Sequence, residues 1–423
     1  MQGSADDARG GDRGREQTQL DSYDARPVTA NHATQTHPTV RFEALDGMRA
    51  VAMLAVFAYH FGLPLRPVLA WGGLGYRIIP NLDLGVEVFF VLSGFLIFRP
   101  FAAANLTGAA RPALRDYAIR RALRIYPAYW VAFVSLYLLG EIEMHGGARQ
   151  FVAHLLLVHQ YLPERLQTLF DGLGPSWSLV VEVSFYVLVP ILAWLLRRCS
   201  MAMHLVVLGM LTVASLGVRI VTVAHPGHGW VKAALGVLPM NLAALAPGMM
   251  LAVLSLYDVP QLRRASQRIG VWWLAAAGGF GLLMVFAATS PTSSLRNALT
   301  HPEVEYWHRL MGPVVGVLLV TPVVFGADVR GAVMRVLRSR LVVWLGTVSF
   351  GAYLWHQPLL LDTKGDAIAL RQSVMDRHSV AYAALVGAFV LGLTLVAAAA
   401  SWYGIERPAQ RLAQRLTRRT RNA

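Results

Sequence analysis

Apolar residues in this chain gather into long runs instead of alternating with polar ones. A membrane-spanning helix needs about 20 mainly apolar residues, within roughly 17–25. Ten runs approach that length, over residues 45–62, 82–98, 125–140, 176–196, 203–223, 233–256, 271–289, 310–326, 344–361 and 380–402. A further run, 151–162, is too short to cross comfortably and reads as a re-entrant or buried helix. The pattern therefore predicts an all-α fold, a polytopic membrane helix bundle of about ten transmembrane helices. Residues 1–41 carry Asp, Arg, Gln, Thr and Gly with almost no apolar run, which predicts a disordered tail. The membrane domain is then 42–408, followed by a basic tail over 409–423.

Basic residues set the orientation. Cytoplasmic loops hold the excess of Lys and Arg. With the N-terminus inside and 151–162 kept on the outer side, the inner segments hold more than twice as many Lys and Arg as the outer loops. Counting 151–162 as a span would put the later basic loops outside. Both termini are thus expected in the cytoplasm, with the chain multi-pass in the cell inner (cytoplasmic) membrane. The formal net charge of +14 follows from this topology and from attraction to anionic lipid, and does not point to nucleic acid.

Composition narrows the class. The chain is 55% hydrophobic and 15% charged, against roughly 45–50% and about 25% in soluble proteins. A mean hydropathy of +0.47 agrees. A soluble globule, a wholly disordered chain and a secreted disulfide scaffold are excluded. The single cysteine, Cys199, has no intrachain partner, and no Cys/His spacing suggests a metal site. No bound cofactor is expected.

Ionisable residues at membrane depth are costly, so each is a functional candidate. Arg49 and His60 are eleven residues apart, three helical turns plus roughly 20°, and so share one face with a rise of roughly 16 Å between them. Glu87 falls in the outer third of the second run, with Ser93 and Gly94 further along it, where small residues let helices approach closely. Arg120 and Arg124 share a helical face, with Arg121 beside them; planar guanidiniums suit phosphate, although ordinary positive-inside flanking gives the same pattern. Trp177 reads as an interfacial anchor, and Glu182, about two turns in, as an outer-layer carboxylate able to orient an imidazole. Tyr186 lies one turn beyond Glu182. His356 closes the ninth run beside Pro358, either structurally or in acceptor binding, and Glu406 reads as structural. The layout places His60, Glu87, Glu182 and His356 toward the outer face and Arg49, Arg99, Arg120, Arg121 and Arg124 toward the inner one.

Six motifs occur in a fixed order: Leu45-Asp46-Gly47-Met48-Arg49 with His60 after a ten-residue gap; Phe89-Phe90-Val91-Leu92-Ser93-Gly94-Phe95-Leu96-Ile97; Arg120-Arg121-x-x-Arg124-Ile125-x-Pro127; Trp177-Ser178-Leu179-x-x-Glu182; Tyr353-Leu354-Trp355-His356; and Glu406-x-Pro408. Together the chain resembles the acyltransferase-3 family of integral membrane O-acyltransferases. It departs from the family pattern at Glu87, where Asp is usual, at Phe350, where Tyr is common, and at Gln357, where Trp is common. The resemblance implies acyl-CoA, most often acetyl-CoA, as cosubstrate. It also implies a hydroxyl acceptor on a cell-surface glycan, a lipid-linked sugar or a glycosylated small molecule. On this reading His60 and Glu182 are catalytic, and Arg49, Arg120, Arg121 and Arg124 bind the donor. Glu87, Ser93, Trp177, Tyr186 and His356 support the site or the acceptor. The rival reading is a polytopic transporter or flippase with a buried Arg/His/Glu relay; against it, the sequence shows no repeated half.

Overall fold

The computed structural model describes residues 43–62, 78–142, 146–162, 173–224, 237–257, 272–273, 275–281, 302–326, 331–360, 372–374 and 379–419, with a few isolated positions besides. Twelve helices are named here: α1 (Glu43–Gly62), α2 (Leu84–Leu106), α3 (Leu114–Leu138), α4 (Gly147–Leu155), α5 (Trp177–Leu195), α6 (Met201–Ala224), α7 (Leu238–Leu254), α8 (Pro302–Phe325), α9 (Ala332–Leu337), α10 (Arg340–Leu360), α11 (Val380–Ser401) and α12 (Arg407–Arg419). Every apolar run other than 271–289 coincides with one of these helices. Residues 272–273 and 275–281 of that run are helical as well; the rest of it lies outside the described residues, as does the expected tail over 1–41. No strand occurs among the described residues. The basic segment expected as a tail is helical through Arg419.

Among the described residues, four helical stretches are long and apolar enough to cross a membrane: Leu84–Leu106, Gly174–Leu195, Met201–Val221 and Val380–Thr417. Large apolar side chains lie exposed on them, among them Val187 and Trp194 on α5, Met210 and Val213 on α6, and Leu385, Phe389 and Val396 on α11. Contiguous apolar exposure of this kind suits lipid and not water.

α2 occupies the centre, against α1, α5, α7 and α8. Its apolar residues point to every side, as suits a helix with neighbours all round, and Phe95 and Phe98 are fully buried. Its approach to α7 depends on two glycines. A Cβ on Gly94 would meet the Leu245 carbonyl oxygen, and one on Gly248 the Val91 carbonyl oxygen, so only backbone fits at this crossing. α1 runs alongside α10: a Cβ on Gly346 would meet the Asp46 backbone near their starts, while His60 meets His356 near their ends. The two helices are therefore parallel. The end of the bundle where α1 begins is called proximal below, and the end where it finishes distal.

The short run expected to be re-entrant or buried forms α4, which lies against α3. The last carbonyls of a helix have no intrahelical partner, and inside a membrane protein they must find one. Three side chains on one face of α3 supply it: Tyr126 Oη donates to the Leu156 carbonyl at 3.2 Å, Tyr129 Oη to His154 at 3.0 Å, and Trp130 Nε1 to Leu155 at 2.9 Å. The chain then turns so that His159 Nε2 hydrogen-bonds Ser176 Oγ at 3.1 Å. Gly174, Pro175 and Ser176, just ahead of α5, are buried. α5 thus begins inside the protein, below its surface.

Candidate active site

Five helices converge on a cavity whose empty space, counted out to open solvent, is about 640 Å³. α1 contributes Arg49, α2 contributes Phe89 and Ser93, α3 contributes Arg124, α5 contributes Ser178 and Glu182, and α10 adds Ser349 and Tyr353. Arg49 is steadied one turn from its own Cα by Asp46, at 3.6 Å. The Glu182 carboxylate accepts a hydrogen bond from Tyr186 Oη at 2.8 Å and stands 3.5 Å from Ser93 Oγ, the far limit of one. Two guanidiniums and one carboxylate therefore face the same space, which favours an anionic or strongly polar guest.

This arrangement revises the sequence-based layering. Glu182 was expected in the outer layer, where it would orient His60. It lies instead with Arg49 and Arg124, because α5 starts within the protein and two turns of helix carry Glu182 deeper than a surface start would. The same recess takes Trp177 away from a rim position: its ring packs edge-to-face on Phe90, with centroids 6.1 Å apart.

The partner that the fold gives His60 is His356. His356 Nδ1 lies 2.7 Å from the Tyr353 carbonyl, and His356 Nε2 lies 3.2 Å from His60 Nδ1, which is also 3.0 Å from the Val56 carbonyl. A carbonyl only accepts, so His356 Nδ1 carries a proton. With both rings neutral, His356 Nε2 is then the acceptor and His60 Nδ1 the donor. The network leaves Nε2 as the basic nitrogen of His60. His356 is buried, and Tyr353, whose ring is 5.6 Å from that of His356, is also a wall of the cavity. One aromatic layer, Tyr353 in edge-to-face contact with Phe89, thus separates the arginine cavity from the histidine pair. Tyr353 is itself fixed by Ser178 Oγ at 2.8 Å and by donation to the Pro175 carbonyl at 3.1 Å.

Other expected site residues fall elsewhere. Arg120 is exposed on α3. Arg121 lies between the rings of Tyr117 and Tyr186, 5.7 and 5.6 Å from their centroids, and its Nε is buried without a hydrogen-bond partner. Of the three clustered arginines, Arg124 is the one that lines the cavity. Glu87 pairs with Arg219 of α6 at 2.8 Å, and Arg219 Nε donates to the Met240 carbonyl at 2.7 Å. Ser215 Oγ donates to the same carbonyl. Sequence reasoning overlooked Arg219, although an arginine inside the apolar run 203–223 announces a buried partner. Glu406 accepts from Ser401 Oγ at 3.0 Å and abuts Gly351, a packing role across α10 and α11.

No solved structure matches the chain. Among curated proteins it is similar to the acyltransferase MdmB of Streptomyces mycarofaciens, with 30% identity across 75% of this chain and 78% of that protein. It is similar to the peptidoglycan O-acetyltransferase OatA of Listeria monocytogenes, with 25% identity across 75% of this chain and 49% of that one. It is also similar to the putative peptidoglycan O-acetyltransferase YrhL of Bacillus subtilis, with 26% identity across 78% and 50%. The chain spans about half the length of those two O-acetyltransferases. Residues 42–402 match the acyltransferase domain that defines one protein family. Carrying that domain over most of its length, the chain belongs to the acyltransferase-3 family.

Proposed function

We propose that the protein is an acyl-CoA-dependent membrane O-acyltransferase that moves an acyl group, most simply acetyl, onto a hydroxyl of a cell-envelope glycan, lipid-linked sugar or glycosylated metabolite. In this reading about ten helices span the inner membrane, the proximal end faces the cytoplasm and His60 stands toward the outer side. The donor enters from the proximal end. Arg49 and Arg124 hold its phosphate-bearing or carbonyl oxygens, with Arg120 and Arg121 acting nearer the cytoplasm, and its thioester arm extends toward Tyr353. The observation that supports the reading is the hydrogen-bonded order Tyr353 carbonyl, His356, His60, which is consistent with a basic Nε2 on His60, one aromatic layer from the cavity.

The chemistry follows from that nitrogen. His60 Nε2 takes the proton of the acceptor hydroxyl as the oxygen attacks the thioester carbonyl carbon. The tetrahedral adduct collapses, the carbon–sulfur bond breaks, and the CoA thiolate leaves with the proton from His60. His356 supports the imidazolium by accepting from Nδ1, the part usually taken by a carboxylate. Glu182, held by Tyr186 and near Ser93, orders the donor side of the path. Resemblance to the two proteins named as peptidoglycan O-acetyltransferases supports an oxygen acceptor.

The test uses the full chain in nanodiscs with labelled acetyl-CoA and extracts of envelope glycans or glycosylated metabolites. Labelled product forming together with free CoA is the expected result. Neither product nor free CoA with any extract would overturn the proposal and favour transport.

A further inference from the structure

A second pocket, of about 860 Å³, lies at the proximal end, away from the site above. It forms where the starts of α1 and α10 meet the junction of α11 with α12. Arg338, Arg340 and Arg407 line it together with Trp344, Trp402 and Tyr403, and among the described residues Glu43 is the one carboxylate on its wall. Three guanidiniums against one carboxylate leave a positive basin. The aromatic residues are of the types that settle at membrane–water interfaces, and Trp344 Nε1 donates to Tyr403 Oη at 3.3 Å.

The side on which the pocket opens decides what fills it. On α11 the exposed residues Leu385, Phe389 and Val396 form one stripe, and Tyr403, also exposed, lies seven residues beyond Val396, two turns along the same side. Leu341, next to Arg340, is exposed as well. The basin is therefore reached along an apolar flank that acyl chains would cover, and its arginines stand where headgroups would lie. Basic recesses between helices at the cytoplasmic side are suited to anionic lipid heads. We propose that this pocket binds the phosphate headgroup of an anionic phospholipid. The proposal rests on the membrane setting alone and not on the acyl-transfer reading.

The test is native mass spectrometry of the full chain released from nanodiscs that hold phosphatidylglycerol and phosphatidylcholine in equal amounts. Wild type should retain phosphatidylglycerol in preference to phosphatidylcholine. Each guanidinium near an anionic surface contributes about a fivefold gain in binding, so Arg340→Gln with Arg407→Gln should weaken retention by about 25-fold. Glu43→Gln, which removes the opposing carboxylate, should strengthen it. Equal retention by wild type and the paired variant would overturn the proposal. So would displacement of the lipid by inorganic phosphate or by coenzyme A, which would mark the basin as a site for a soluble phosphate. Should the paired variant fail to fold, Arg340→Gln alone, at an exposed position, replaces it, with about a fivefold loss expected and no loss overturning the idea. Because lipid retention is the readout, an inactive enzyme leaves this result intact.

Discussion

Two regions of the bundle contain charged groups at membrane depth, and they use them in opposite ways. At the Glu87–Arg219 clasp, a carboxylate on α2 and a guanidinium on α6 close on each other, and Arg219 also reaches the Met240 carbonyl of α7. The clasp joins three helices and faces no cavity described here. At the other region, Arg49, Arg124 and Glu182 line an open space, and His60 keeps one ring nitrogen outside its hydrogen-bond chain. An intramembrane charge is thus a functional candidate only until its partner is known. A charge closed on a partner holds helices together; one that faces a cavity is available to a substrate.

Two substitutions separate these roles. His60→Ala should lower acyl transfer by about 10²–10⁴, the usual worth of general-base help, with the purified variant unfolding at the wild-type temperature. Transfer rates and thermal unfolding measured on one preparation decide it; a normal rate would sink the base assignment. Arg219→Ala should do the reverse in kind. It strands Glu87, whose Oε2 is already buried without a hydrogen bond, and removing one member of a buried pair costs about 3–5 kcal/mol. Replacing both, as Glu87→Gln with Arg219→Gln, should recover part of that loss. If the pair of replacements is as unstable as Arg219→Ala, the clasp is not acting as an ion pair.

How much of this was readable beforehand depends on which kind of information each feature uses. Helix positions were legible because each run of apolar residues carries its own signal. Arg49 and His60 were legible as one stripe, and both do turn toward α10, one lining the cavity with Ser349 and Tyr353 and the other bonding His356. Depth was not legible where a helix starts inside the protein. Glu182 was counted from a surface start, but Gly174, Pro175 and Ser176 ahead of α5 are buried and His159 bonds Ser176, so α5 begins within the protein. Pairing was not legible either: which of Glu182 and His356 meets His60 depends on how α10 lies on α1. The three arginines of α3 read as one cluster, yet helical rotation sends Arg124 into the cavity, Arg121 between two tyrosine rings and Arg120 to the exterior.

A third substitution tests whether the centre tolerates any change in shape. Gly94→Ala places a methyl against the Leu245 carbonyl oxygen, where backbone cannot easily yield. Forcing extra volume into a packed crossing costs about 1–3 kcal/mol. Gly209→Ala, on α6 with nothing near its added carbon, should instead be neutral or slightly stabilising. Thermal unfolding of the two variants in the same detergent should therefore move in different directions. A Gly94→Ala protein as stable as wild type would mean that α2 and α7 can part without loss, and that the position of Ser93 in the cavity is not fixed by this crossing.

The smallest effect is expected where α4 is anchored on α3, which belongs to neither charged region. Tyr129 is fully buried and its hydroxyl donates to the His154 carbonyl at 3.0 Å. Tyr129→Phe keeps the ring, its stack on Phe133 and the volume, and removes one hydrogen bond, so the loss should be about 0.5–1.5 kcal/mol. Because Tyr126 and Trp130 still hold the neighbouring carbonyls, α4 should stay in place and transfer activity should persist. Hydrogen exchange at the amides of α4 gives the finer readout: modestly faster exchange there, with α5 unchanged, is the expected pattern. Faster exchange spreading into the first turn of α5, with falling activity, would show that the buried start of that helix, and with it the depth of Glu182, hangs on this one hydroxyl.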